Sequence, residues 1–213
     1  MSLGRTAVAA SLAAVLMAGC GGGGGETSSV ALPAGCARVS APPAKQVQLS
    51  KPTQTLQGTA SATVVTSCGS FTIALDTARA PKTTSSFAYL ARRGVYDDTT
   101  FHRIVPGFVI QGGDPTGTGS GGPGYFVDEP PPQTLSYTRG IVAMAKSSAE
   151  PPGRSGSQFF VVTEADAGLT PDYGLLGRVA SGFDVVQRIE QLGTSSGKPK
   201  APVVINRITI RGG

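Results

Sequence analysis

FHRIVPGFVIQGGD, residues Phe101 to Asp114, decides the reading of this chain. Thr99 to Val105 and Phe108 to Gln111 read as strands joined by a Pro106-Gly107 bend. Each apolar run carries one polar side chain, Arg103 in the first and Gln111 in the second, and Gly112-Gly113 closes the segment. No acid, thiol or serine stands where a nucleophile is expected. The pattern suits an apolar groove with a few fixed hydrogen-bond donors.

Outward from this segment the chain is a series of short strands. Ala62 to Thr66 and Phe71 to Leu75 flank Ser67-Cys68-Gly69-Ser70, which reads as a hairpin turn. Ile141 to Ala145, Gln158 to Thr163, Leu175 to Val179 and Val203 to Ile210 read as further strands, and 112–124 as a glycine-rich loop. Two helices are predicted. Pro81 to Arg92 begins with a proline suited to a first turn and stops at Gly94. Ser181 to Leu192 repeats apolar side chains at Phe183, Val186, Ile189 and Leu192, with Ser181 as its expected cap. Many short strands and two helices predict a mainly β domain, a closed antiparallel β-barrel capped by two α-helices.

The chain has 213 residues, of which 30 are glycine and 16 proline, in keeping with many turns and few long helices. The net charge of +5 is spread over scattered basic residues, not gathered on a face with aromatics, which argues against nucleic-acid binding. The N-terminus reads as an export leader: Arg5, then the short apolar run Ala7 to Ala18, too short to span a bilayer as a helix. It ends in Leu16-Met17-Ala18-Gly19-Cys20, which resembles the lipobox of bacterial lipoproteins. There the cysteine is acylated, so Cys20 is the expected lipidation site, with Gly21 to Gly25 as a tether. The expected organisation is a leader at 1–19, a Gly/Ser/Pro-rich tether and lead-in at 20–58, and one domain at 59–213. The expected location is the cell envelope, anchored on the outer side of the cytoplasmic membrane or on another envelope membrane. Cys36 and Cys68 then remain as an even pair, expected to form a disulfide. No metal site is expected from two cysteines and one histidine spread along the chain.

Several tempting motifs fail on context. Gly117 to Gly122 satisfies G-x-G-x-x-G, but Pro123-Gly124 follows where a dinucleotide site needs a helix to open. Gly193 to Lys198 is too short for a phosphate loop, and Pro199 stands in place of its Ser/Thr. Asp97-Asp98 and Asp128-Glu129 read as exposed turn residues rather than acid–base pairs.

Three separated segments together resemble the cyclophilin-type peptidyl-prolyl isomerases. They are residues 101–114; Gly140-Ile141-Val142-Ala143-Met144-Ala145 with Gly156-Ser157-Gln158-Phe159-Phe160; and Leu169-Thr170-Pro171-Asp172-Tyr173-Gly174-Leu175-Leu176-Gly177-Arg178-Val179. They occur in the family's order over roughly residues 60–211. The resemblance implies an eight-stranded barrel and an enzyme of the EC 5.2.1.8 type that rotates X–Pro bonds without a cofactor.

By that resemblance Arg103 donates to the prolyl nitrogen of a twisted amide, and Gln111 donates to the substrate backbone and orients the arginine. Phe108, Val109, Phe160 and Leu169 form the proline pocket, and His102, Ala145, Gln158 and Tyr173 also contact substrate. Phe101 and Phe159 are expected in the core; alternation then turns Phe160 to the other face. The chain departs from many relatives at Gly168, where they carry tryptophan, and at Tyr173, Val109 and Lys146-Ser147. The loop through Glu150 to Arg154 is longer than usual. The expected partners are proline-containing segments of exported or envelope proteins, met by a monomer. The competing reading is a non-catalytic proline-peptide-binding or chaperone module.

Overall fold

The computed structural model describes Met1 and residues 30–213. The apolar run of the expected leader and Cys20 fall in residues 2–29, outside the described residues.

Among the described residues, eleven strands and two helices follow one another as β1 (Ala60–Thr66), β2 (Gly69–Leu75), α1 (Pro81–Arg92), β3 (Thr99–Thr100), β4 (Arg103–Val105) and β5 (Val109–Gly112), then β6 (Val127–Asp128), β7 (Ile141–Met144), β8 (Arg154–Ser155), β9 (Phe159–Val162), β10 (Leu175–Ser181), α2 (Phe183–Glu190) and β11 (Val204–Gly212). β6 and β8 pair with each other alone. The other nine form one antiparallel sheet in the order β3-β11-β1-β2-β10-β7-β9-β5-β4.

The mainly β plan with two helices stands as expected. The closed eight-stranded barrel is corrected. The sheet has nine strands, and no ladder pairs its edges β3 and β4. Those edges are separated in sequence only by Phe101 and His102, so the sheet curls until the chain itself joins them. A single isolated bridge, Thr100 to Asp114, spans the seam. The physical reason is local: the expected strand Thr99 to Val105 breaks at Phe101-His102, and the Phe101 N–H turns to the Val203 carbonyl (3.0 Å).

Alternation along β4, β5, β7 and β9 divides their side chains between two cores. Ile104, Ile110, Val142, Met144, Phe159 and Val161 enter the main core. Val109, Ile141, Ala143, Phe160 and Val162 enter a second cluster on the opposite face. Phe159 meets Phe87, Tyr96 and Phe101 edge-on at centroid distances of 5.6, 5.9 and 6.1 Å. Aromatic pairs at these separations favour such tilted geometry.

The second helix is capped differently from expectation, and the first takes its cap from a distant turn. The first turn of α1 holds no acidic side chain. The carboxylate of Glu129 serves it instead, accepting from the Lys82 N–H (3.1 Å) and the Thr83 N–H (2.8 Å). A negative group there meets unpaired N–H donors and the positive end of the helix dipole. α2 starts after Gly182 in a left-handed conformation (φ 76°), so Ser181 is the last residue of β10 and not a cap. Residues 30–58 hold no helix or strand. Leu32, Cys36, Val47 and Leu49 nonetheless pack against the main core, and Leu56 is buried in it. Cys36 and Cys68 are joined by a disulfide.

Candidate active site

The β4–β5 hairpin aligns Arg103 with Gln111, Ile104 with Ile110 and Val105 with Val109. β9 continues the row, with Gln111 opposite Phe160, and β7 extends it, with Ala143 opposite Phe160. Arg103, Gln111, Phe160 and Ala143 therefore lie side by side across four strands, on one face. Ile104, Ile110 and Phe159 hold that face in place from behind.

A groove of about 360 Å³ opens over this row. Its lining is Arg103, Phe108, Val109, Gln111, Ala145, Lys146, Phe160, Leu169 and Tyr173. Val109 and Phe160 are buried, while Phe108, Leu169 and Tyr173 are half-buried at its rim. The Arg103 guanidinium lies over the Phe108 ring, 5.6 Å from its centroid. Among the described residues it has no ion-pair partner and makes no hydrogen bond. An unpaired cation stacked on an aromatic ring above an apolar floor can serve as a donor to a developing lone pair.

The Gln111 amide donates to Gln158 Oε1 (3.1 Å), and its own Oε1 accepts no hydrogen bond from Arg103. Gln158 in turn donates from Nε2 to the carbonyls of Gly119 (2.9 Å) and Gly121 (3.0 Å). The loop carrying those carbonyls wraps around Asp114, which has no exposed surface. Its carboxylate accepts from the N–H groups of Thr116 (2.8 Å), Gly119 (2.5 Å) and Gly121 (3.1 Å). Burial alone pushes the Asp114 carboxyl up, but these hydrogen bonds outweigh it and hold it below its ordinary range. A Cβ on Gly121 would stand 2.1 Å from Asp114 Oδ1, so only glycine fits there.

Tyr173 is set by Tyr137, whose hydroxyl donates to the Tyr173 carbonyl (2.5 Å) and accepts from its N–H (3.0 Å). Burial pushes the Tyr137 hydroxyl up to about 12. The rings of Phe160 and Tyr173 meet edge-on at 5.4 Å. Lys146 Nζ sits 5.5 Å from the Tyr173 centroid and donates to the carbonyls of Ser147 (3.2 Å) and Glu150 (3.0 Å).

Of the residues proposed from sequence, all but His102 and Gln158 line this groove. Gln158 lines an adjoining groove of about 480 Å³, which shares Gln111, Ala145 and Lys146 with the first. His102 lies beside it; both its ring nitrogens are buried and lack a hydrogen-bond partner. Burial lowers the His102 pKa, against the opposing pull of Asp114. Sequence reasoning missed Lys146 as a lining residue, although its place directly after Ala145 marked it. It also missed Phe126, which is 52% exposed on the second groove with Arg154 5.4 Å over its ring. No local pattern distinguishes such a loop aromatic. Among the described residues no group of three or more His, Cys, Asp or Glu could hold a metal ion.

Residues 61–210 match the family model of the cyclophilin type peptidyl-prolyl cis-trans isomerases. The chain belongs to that family. Peptidyl-prolyl cis-trans isomerase-like 1 of Aspergillus niger is 45% identical over 135 residues, 62% of this cyclophilin and 82% of the relative. Peptidyl-prolyl cis-trans isomerase-like 2 of Cryptococcus neoformans is 36% identical over 174 residues, 76% of this chain and 30% of that longer protein. A crystal structure of a Cryptosporidium parvum cyclophilin type isomerase superposes with a TM-score of 0.67 at 35% identity, covering 73% of this chain and 99% of the other. The same protein was solved in the presence of the dipeptide Ala-Pro, with a TM-score of 0.65. This cyclophilin is accordingly a peptidyl-prolyl cis-trans isomerase.

The relatives correct the expected location. They are fungal isomerase-like 1 and isomerase-like 2 proteins, not envelope lipoproteins. Among the described residues, no helix is long and apolar enough to cross a membrane. It is the relatives that overturn the envelope location. The error arose from reading a short N-terminal segment by its local motif, which carries no information from the rest of the chain.

Proposed function

We propose that this cyclophilin accelerates X–Pro rotation by binding the twisted amide through Arg103. Amide resonance opposes rotation with a barrier of about 18–20 kcal/mol. On twisting, the prolyl nitrogen loses conjugation and gains a lone pair. A donor that meets this lone pair stabilises the transition state and neither planar ground state, which is what raises a rate. Arg103 is that donor, and the planar guanidinium keeps the direction of its N–H groups. Phe108, Val109, Phe160 and Leu169 hold the prolyl ring. Gln111, fixed by Gln158, binds the substrate backbone; Ala145 and Tyr173 wall the groove, and His102 buttresses its edge. No bond is made or broken, so no nucleophile or general base is needed. The substrates are proline-containing peptide segments, a reading supported by the Cryptosporidium parvum relative, which was solved in the presence of the dipeptide Ala-Pro. The groove is complete within residues 59–213 of one chain, which supports action as a monomer.

The observation that carries this reading is the unpaired Arg103 guanidinium beside an apolar groove, in register with Gln111 and Phe160. A protease-free assay on a proline peptide tests it. Arg103→Ala is expected to lose on the order of 10²-fold or more in kcat/KM. A variant as fast as the wild type sinks the role of Arg103.

A further inference from the structure

The family match begins at residue 61, so the segment 30–58 lies outside it. That segment crosses the molecule as a strap. The Cys36–Cys68 disulfide and a bond from the Ala37 N–H to the Ser67 carbonyl (2.7 Å) hold it to the β1–β2 turn. The Leu56 N–H donates to Ser85 Oγ (2.7 Å) and holds its far end to α1. Between these ends burial alternates: Lys45, Val47 and Leu49 turn inward, and Gln46 and Gln48 outward. The Lys45 N–H donates to the Pro115 carbonyl (2.8 Å), and the Leu49 N–H to the Pro123 carbonyl (2.8 Å). Lys45 Nζ also donates to the carbonyls of Val95 and Asp97.

Pro115 and Pro123 bracket the glycine-rich loop that walls the second groove. From that loop, Gly119 and Gly121 receive Gln158, which receives Gln111, which faces Arg103 across the hairpin. We propose that the strap is a positioning element for the second groove, with Lys45 and Leu49 as positioning residues that pin its loop at both ends. The proposal rests on reading the Arg103–Gln111 groove as the peptide site. Glycine-rich segments lose more backbone freedom on ordering than any other. A loop already pinned from outside loses less when a peptide docks against it. The effect therefore falls on binding of peptides long enough to occupy both grooves, and not on the rotation step.

Full-length Leu49→Pro removes the Leu49 N–H donor together with its packing on the core, and Lys45→Pro removes the Lys45 N–H donor together with the ammonium's bonds to Val95 and Asp97. Two substrates are compared: a long proline peptide, and a short one that fills only the first groove. The KM for the long peptide is expected to rise about three- to tenfold, with kcat and both constants for the short peptide unchanged. An unchanged long-peptide KM, or equal losses on both substrates, overturns the proposal. If neither variant folds, amide exchange of the wild type decides. Pinning predicts that Gly119 and Gly121 open together with Lys45 and Leu49; loop amides that open independently of the strap overturn it. Loss of activity in Arg103→Ala together with an unmoved KM in the strap variants sinks the strap alone. A wild-type rate in Arg103→Ala sinks the underlying groove reading.

Discussion

Arg103 is available to a substrate because its neighbours on the sheet face offer it no carboxylate. It stacks on Phe108, and the nearest strand partner is the neutral Gln111, whose amide is already engaged by Gln158. Arg103 and Gln111 stand out in the sequence as polar side chains of apolar runs, but their connections do not. Tyr137 shows the limit more sharply. Nothing around Ser136-Tyr137-Thr138 marks it, yet its hydroxyl satisfies both the N–H and the carbonyl of Tyr173 at the groove rim. Tyr137→Phe leaves those two groups without their partner. It is expected to cost about 1–3 kcal/mol of stability and to raise KM by releasing Tyr173. Urea unfolding beside steady-state kinetics checks both effects, and unchanged stability contradicts the argument.

At the scale of the element, β9 separates folding from function within two adjacent residues. Phe159 closes the aromatic cluster of the main core, while Phe160 forms the groove floor over the other face. Phe159→Ala is expected to lose about 3–5 kcal/mol of stability, with activity retained in whatever remains folded. Phe160→Ala is expected to act mainly on KM for a proline peptide. Chemical denaturation and kinetics on both variants distinguish them; matching profiles refute the division. This division was legible from Phe159-Phe160 because strand alternation is a backbone property. α1 was legible for the same reason, from Pro81 to Arg92. Its cap was not, since Glu129 reaches Lys82 and Thr83 from a distant turn. β6 and β8 were also missed, because two-residue strands have no periodicity to read.

At the scale of the whole molecule, the seam where the sheet edges meet is expected to be acid-sensitive. His102 and Asp114 both stand there, and each has a folded pKa below its ordinary value, 6.5 for the imidazole and 3.8 for the carboxyl. Between the folded and unfolded values the unfolded chain binds more protons, so stability rises with pH there. Stability is therefore expected to hold near neutrality, to fall as pH drops below about 6.5, and to fall again below about 3.8. His102→Gln should abolish the first fall alone. Unfolding free energies measured across this range test it, and a wild type with no decline below pH 6.5 refutes the His102 assignment. By itself the sequence determined the longer strands, the two helices, the division of β9 between its faces, and Arg103 and Gln111 as the polar side chains of their apolar runs. These depend on alternation, helical spacing and turn chemistry, all local to the backbone. Only the tertiary structure decided that nine strands curl without a closing ladder, that Gln158 links Gln111 to the carbonyls of Gly119 and Gly121, and that the strap 30–58 grips the loop behind Gln158. Those outcomes depend on long-range strand register and on backbone hydrogen bonds, whose partners no sequence pattern names.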